Sequence, residues 1–272
     1  MFLFSQWEQF CREVSQSYNC IRADEIFQVK GEKDWLVIKH DVEVAPLKAL
    51  HMARIEAKYG IAATYYVQSY LLDESADIFK EIQNLGHELT YHYDVLDANN
   101  GDYDKALEEF QQTVDRFEER EFPVKTVCPH GNPVMKRCGW SSNKDFFRNS
   151  TIKEKYQNIF DIVVDLPKVF DEEVVYISDA GFGWKQIVNV DSNDVKNQGD
   201  IDLKTISGVG KVLTSNTKVI VSSHPHRWEN SLLKAYFNLF RFKLLRNAAR
   251  FLVKIPFIKS ILSRFYYLAK KI

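Results

Sequence analysis

Short apolar runs of strand character recur along this chain, each followed by a stretch whose apolar residues are spaced for a helix. The runs are Trp35 to Lys39, Ala62 to Val67, Glu88 to His92 and Val124 to Cys128. Between them, Ala49, Met52, Ile55 and Tyr59 share one helical face, and helical spacing also spans 74–85 and 103–119,. Gly60 and Gly86 stop the first two of these helices,. Connections of this length are too long for hairpins, so each strand is expected to lie parallel to its neighbour across a helical crossover. The alternation predicts an α/β fold, either a barrel or a doubly wound sheet. A helix over 5–18, with Trp7, Phe10 and Val14 on one face, is expected ahead of the first strand,. Downstream the pattern predicts strands at 161–164, 174–178, 187–190 and 218–222 and a helix over 200–215. A chain of 272 residues with 45% hydrophobic composition can bury one sizeable core, and a single α/β domain is expected over 1–230,.

Several function classes lose their support at once. No Gly-rich strand-to-helix loop of the GxGxxG or P-loop kind occurs, which removes the main sign of a nucleotide fold,. Cys11, Cys20, Cys128 and Cys138 have neither the density nor the spacing of a disulfide framework or a CxxC pair, and reduced thiols are expected,. The opening MFLFSQWEQF lacks a basic n-region and a signal-peptide h-region,. No run of about 18 apolar residues free of charge is present to span a bilayer. These features predict a cytoplasmic domain. Charge, however, is divided unevenly. Residues 231–272 hold ten Lys and Arg and no Asp or Glu, so this tail carries +10 and residues 1–230 carry −11,.

Asp41, Glu43, His92, His130 and His224 each fall at or just past the carboxyl end of an expected strand. In parallel α/β folds those ends gather on one face, where ligands bind. His40, His226 and Asp179 lie in the same segments. A donor set of His with Asp or Glu suits a borderline divalent ion: Zn²⁺ first, with Fe²⁺, Co²⁺, Ni²⁺ and Mn²⁺ acceptable.

The segments Ile38-Lys-His-Asp-Val-Glu43, Ala63-Thr-Tyr-Tyr-Val67, Gly86-His-Glu-Leu-Thr-Tyr-His92, Pro129-His-Gly-Asn-Pro133 and Val221-Ser-Ser-His-Pro-His226 together resemble the polysaccharide deacetylase (NodB-like) family, in a divergent branch with a His-Asp-Val-Asp/Glu opening. Their order and separation match over 34–228. The resemblance implies a distorted (β/α)7 barrel of the carbohydrate deacetylase type, a divalent metal, and hydrolysis of an N-acetyl or O-acetyl group on a carbohydrate. It implies Asp41 as catalytic base beside Glu43 as metal ligand, although either acid can take either role. His92 matches the first histidine of the family's metal motif. The second is replaced by Leu96, and Asp94 or His130 is expected to supply the missing donor. The arginine that opens the family's next motif is absent here. His224 matches the general acid and Asp179 the aspartate supporting it; Trp184 and Trp228 are expected to contact the sugar, as is His226, which is also an alternate acid or metal ligand. His87 reads as structural.

The tail, 231–272, is free of Pro and Gly up to Pro256 and is expected to form amphipathic helices on either side of it, the second over 257–270,. At about 100° per residue, Phe237, Phe240, Leu244, Phe251 and Ile255 gather on one side, with Lys243, Arg246, Arg250 and Lys254 opposite. Such a helix suits the headgroup zone of an anionic membrane, a partner protein being the other option. A cytoplasmic domain with this tail points to a precursor of a cell-surface glycan, free or lipid-linked, at the inner face of the cytoplasmic membrane. Two further classes stay open: a noncatalytic carbohydrate-binding module of the same fold, and nucleic-acid binding through the basic tail. The acidic main domain opposes the second.

Overall fold

A computed structural model describes residues 1–29, 34–132, 135, 137–170, 174–191, 199–215 and 218–252, with the side chains of 249–252 set aside. In chain order the elements are α1 (Phe4–Val14), β1 (Cys20–Ile21), β2 (Trp35–Val42), α2 (Pro46–Lys58), β3 (Thr64–Val67), α3 (Ala76–Asn84), β4 (Glu88–Tyr93), α4 (Val95–Ala98), α5 (Tyr103–Glu118) and β5 (Thr126–Pro129). They continue with α6 (Asp145–Arg148), α7 (Ser150–Lys155), β6 (Phe160–Asp161), α8 (Leu166–Phe170), β7 (Val175–Ser178), β8 (Lys185–Ile187), β9 (Ile201–Asp202), α9 (Ile206–Leu213), β10 (Lys218–Ser223) and α10 (Leu232–Leu252).

The sheet runs β6-β5-β4-β3-β2-β10-β7-β8-β9, with β1 paired to the start of β2. Every ladder from β6 to β7 along this path is parallel, so seven parallel strands form a distorted (β/α) barrel. Beyond β7 the chain departs from the expected parallel pattern, because β8 and β9 are added antiparallel. Among the described residues no ladder joins β6 to β7 or β9, and the barrel is open there. The last parallel strand, β10, lies against the first long one, β2, pairing Ser223 with His40. That closure brings residues from opposite ends of the chain to one mouth.

Parity along the strands separates two layers. Leu36, Ile38, Val42, Tyr65, Val67, Tyr91, Val127, Val219 and Val221 pack outward under the helices in one apolar core. Val37, Tyr66, Cys128, Tyr176 and Ile220 pack inside the barrel in a second. His40 belongs to the outer layer, and this corrects its expected place in the strand-end cluster. Its Nε2 bonds Glu56 Oε1 at 2.7 Å, while Trp7 Nε1 and Tyr65 OH donate to the same buried carboxylate at 3.0 and 2.7 Å. His87 sits beside this network, its Nδ1 accepting from the Ala63 amide at 3.0 Å, as a structural residue would.

Some elements are shorter than the pattern predicts. Of the strand expected over 161–164 only Asp161 is strand, together with Phe160 before it, because the Asp161 carboxylate accepts from the Val163 and Val164 amides at 2.8 and 2.9 Å and turns the chain,. The expected helix over 200–215 is confined to α9, which Thr205 caps at the Gly208 amide. The anticipated helix over 257–270 lies outside the described residues. No helix among the described residues is long and apolar enough to cross a membrane.

Candidate metal centre

The inner face of each strand alternates with its outer face, so a polar residue two positions from an inward residue also points inward. On β2 this stripe is Val37, Lys39 and Asp41, with Glu43 just past the strand end. On β4 it is Glu88, Thr90 and His92. Thr126, Cys128 and then His130 continue it on β5, and Ile220, Ser222 and His224 on β10. The predicted residues therefore meet at the mouth. Glu43 Oε1 lies 3.2 Å from His130 Nε2, 4.0 Å from His92 Nε2 and 3.9 Å from His224 Nε2. One donor atom from each of Glu43, His92 and His130 lies within 4.8 Å of the others. Asp41, His92 and Cys128 form a second such group one layer deeper.

This donor set fits a divalent cation. His92 donates from Nδ1 to the Cys128 carbonyl at 2.9 Å, which leaves the lone pair of Nε2 facing Glu43. A ligand histidine is usually fixed in this way through its other ring nitrogen. Burial pushes His92 down to about 4, with Asp41 pulling the other way. Burial also pushes His226 down to about 3. For Glu43, burial favours the neutral acid, but the hydrogen bond and charge of His130 and the charge of His224 outweigh it and hold the carboxyl well below the usual range. The geometry separates the two acids. Asp41 Oδ1 is taken by Lys39 Nζ at 2.6 Å, whereas among the described residues the ion-pair partners of the Glu43 carboxylate are imidazoles.

Lys39 is fully buried, and its Nζ also bonds Cys128 Sγ at 3.1 Å. Burial opposes the charge of Asp41, but Lys39, His92 and His224 together hold that carboxyl below its ordinary value. Ser222 Oγ donates to Asp41 Oδ2 at 3.4 Å, and His224 Nε2 lies 3.9 Å from the same oxygen. The sequence pattern does not single out Lys39, although its spacing of two from Asp41 on one strand places both on the same face,.

His224 and Asp179 form a dyad. Asp179 Oδ1 accepts from His224 Nδ1 and Arg227 Nη1, both at 2.6 Å, and Oδ2 accepts from Ser223 Oγ at 2.8 Å and the His224 amide at 3.0 Å. Arg227 also donates to the Asp179 carbonyl. Burial alone would raise the Asp179 carboxyl, but Arg227 and His224 lower it to about 2. With Nδ1–H committed to Asp179, Nε2 of His224 is the atom that faces the acids. Arg227, unassigned by the sequence pattern, is the second partner of this aspartate.

Trp184 and Trp228 are not sugar platforms. Their exposures are 1% and 0%, and their rings pack with Phe2 and with each other, centroids 5.2 to 6.4 Å apart. Trp228 Nε1 donates to Ser223 Oγ at 2.8 Å, so this ring buttresses the serine that bonds Asp179. His226 lies next to His224, ring centroids 5.7 Å apart, half-buried at the mouth. Leu96 lies in the outer apolar core, while Asp94 ends β4 as the N-cap of α4.

No protein-family model matches the chain, and no curated protein matches it in sequence. Among solved structures it is similar to a CE4 esterase from Streptococcus mutans, at 14% identity over 85% of this chain and 90% of that one, with a TM-score of 0.46. It is also similar to a family 4 carbohydrate esterase from Streptomyces lividans in complex with acetate, at 12% identity over 79% and 90%, TM-score 0.44. A CE4 family pseudoenzyme from Bacillus anthracis matches at 15% identity with a TM-score of 0.44, over 79% of this chain but only 62% of its own length. The likenesses are distant, and the functional reading stands on the chain's own side chains.

Proposed function

We propose that this chain is a metal-dependent hydrolase that removes an acetyl group from an amino sugar or an acetylated glycan precursor of the cell surface. The observation that carries the reading is the convergence of three imidazole Nε2 atoms within 4.0 Å of Glu43 Oε1, beside the Asp179–His224 dyad. Glu43, His92 and His130 would hold the ion, Zn²⁺ first, and when bound it supplies Lewis-acid chemistry at an acyl group and makes water easier to deprotonate. Asp41 is the base. Lys39 occupies its Oδ1, so Oδ2 is the oxygen that takes a proton from water. His224 is the acid: Asp179 fixes its tautomer, and Nε2 delivers a proton to the leaving amine or alcohol,. His226 at the mouth contacts the sugar. Deacetylation of acetylated amino sugars by the Zn²⁺-loaded chain tests the reading. Asp41→Asn and His92→Ala should each abolish turnover in a folded protein, and undiminished turnover in both would remove it.

We infer further that the chain works at the inner face of the cytoplasmic membrane, on a carbohydrate presented there, for instance on a lipid. Support comes from α10, which has three faces. Ala235 and Phe242 lie toward the body, Phe242 with its ring 4.5 Å from that of Phe182. Leu233, Tyr236, Phe237, Phe240 and Leu244 form an exposed apolar strip, Leu233 at 81% exposure. Exposed Lys234, Arg241 and Lys243 flank that strip. Apolar residues bordered by cations are the complement of an anionic bilayer surface, where each Lys or Arg contributes about 1 kcal/mol. The expected continuation through Ile255 and Lys254 lies outside the described residues, as do the side chains of Arg250 and Phe251. Cosedimentation with phosphatidylglycerol vesicles should succeed for the intact chain and fall at least tenfold for Phe240→Glu. Failure to bind at low salt, or a concentration-dependent dimer that covers the strip instead, removes the membrane assignment.

A further inference from the structure

The second histidine of the family's metal motif is lost at Leu96, yet the next residue serves the same site by another route. Asp97, on α4, is 1% exposed and gathers four side-chain donors. Its Oδ1 accepts from Arg137 Nε and Trp140 Nε1, both at 2.8 Å, and Oδ2 from Arg137 Nη2 at 2.7 Å and Asn143 Nδ2 at 3.0 Å. The Asp97 amide returns a bond to Asn143 Oδ1 at 3.0 Å. Both arms of this hub then reach the loop that begins at His130. Asn143 Nδ2 donates to the His130 carbonyl at 2.8 Å, and Arg137 Nη2 to the Asn132 carbonyl at 3.0 Å. From the other side, the His130 amide donates to the Tyr93 carbonyl at 2.7 Å. His130 is thus held by its backbone between β4 and Asp97.

A second, independent feature maintains the hub. Gly101, at φ +81°, lies under the indole of Trp140, and a Cβ there would come within 2.3 Å of Cε3. No side chain fits that gap without displacing Trp140 from Asp97.

We propose that Asp97 is the positioning residue for His130, so that α4, which offers no ligand of its own at Leu96, sets the third protein donor from a distance. This rests on His130 being a ligand, as proposed above. Buried charge-assisted bonds suit the task, because one carboxylate accepting four donors fixes three segments at once. Groups that orient a metal ligand typically carry ten- to hundredfold of the affinity for the ion.

The test is Zn²⁺ affinity of the full chain by competition with a chromophoric chelator, together with the visible absorption of the Co²⁺-loaded protein, which reports ligand geometry without turnover. Asn143→Ala deletes the bond to the His130 carbonyl, and Asp97→Asn weakens the hub with little change of shape. Each should lose about tenfold or more in affinity and shift the Co²⁺ spectrum. Gly101→Ala should give the same direction of change through Trp140 and keeps the question open to test if Asp97→Asn fails to fold. Wild-type affinity and an unchanged spectrum in folded Asn143→Ala and Gly101→Ala overturn the positioning role, provided His130→Ala binds weakly. Wild-type affinity in His130→Ala overturns the ligand assignment itself.

Discussion

Replacing Asp179 by Asn tests the dyad more sharply than deleting it, because the shape is kept and only the charge and one acceptor are lost. Asp179 accepts four donors, two on each oxygen, and each oxygen has one donor that can never accept: the Arg227 guanidinium on Oδ1 and the His224 backbone amide on Oδ2,. An asparagine offers an oxygen to one pair and an NH₂ to the other. With the oxygen toward Arg227 and His224 Nδ1, the NH₂ meets the His224 amide head on. Flipped, the NH₂ meets Arg227 and forces the wrong tautomer on His224. Either way Arg227, 8% exposed, loses its buried counter-ion. Breaking one side of a buried pair costs about 3–5 kcal/mol, which for a chain of this size lowers the melting temperature by roughly 6–20 °C. Loss of an oriented acid lowers turnover by about 10²–10⁴. The pH dependence gives a further check. The carboxyl is lowered from 3.8 to about 2, so its contribution is complete above 3.8 and is lost as pH falls through about 2,. The gap in melting temperature between the two proteins should narrow at pH 3 relative to pH 7. Thermal melts at both pH values and kcat/KM, measured well below the variant's melting temperature, are the assay. A melting temperature within 1 °C and activity within about twofold of the parent would refute the reasoning.

Lys39→Met leaves Asp41 buried without its cation and should cost about 3–5 kcal/mol at pH 8, most of it recovered in the Lys39→Met, Asp41→Asn double variant. Chemical denaturation of the three proteins checks this, and no recovery would mean that Lys39 acts by packing alone. Glu88, at the opposite end of the barrel, is pushed up from 4.5 to about 7 by burial and the neighbouring charge of Asp24, against bonds from Thr126 and Thr64 at 2.7 and 2.8 Å. Its folded-state value lies above the unfolded one, so its stabilising contribution is present at low pH and is lost as pH rises through about 7,. Glu88→Gln should therefore flatten the fall in stability between pH 5 and 8, on the order of 2 kcal/mol, and a slope unchanged in urea titrations would count against it. Zn²⁺ at a hundredfold excess over its Kd should raise the stability of the chelator-stripped protein by about 2.7 kcal/mol, and His92→Ala should show no such shift.

Much of the site was legible because strands advertise it: a polar residue at the end of an apolar run has few places to go except the mouth of a parallel sheet. That logic found Asp41, Glu43, His92, His130 and His224. It fails at His40 because neighbouring positions on β2 face opposite ways, and position alone does not tell which of His40 and Asp41 turns inward; in the structure Glu56 claims the histidine. Trp228 misled for a related reason. After the short turn at Pro225–Arg227 the chain returns to the outer layer, and the ring seals the core over Trp7 rather than the rim. On α10 a two-sided amphipathic wheel was expected, but a helix that also packs on its own body needs a third side. Arg246, assigned to the charged face, instead lies over the Phe242 ring at 5.4 Å.

The charges in the mouth give the physical reason to expect a cation there. Three buried or half-buried acids converge, and two have fixed partners: Lys39 for Asp41 and Arg227 for Asp179. Among the described residues no Lys or Arg pairs with Glu43, whose neighbours are His92, His130 and His224. His224 already spends Nδ1–H on Asp179, and His92 spends its own on the Cys128 carbonyl. Both rings therefore present an unprotonated Nε2 to the carboxylate when neutral, so lone pair faces lone pair. The contact is relieved only if His130 donates from its Nε2, a ring takes a proton, or a cation stands among these groups,. Protonating His92 is opposed by its burial, which holds it near 4. A divalent ion held by Glu43, His92 and His130 would satisfy all three donors at once, and under the proposed function it would leave Asp41 and His224, each already anchored by another partner, as the pair to exchange protons.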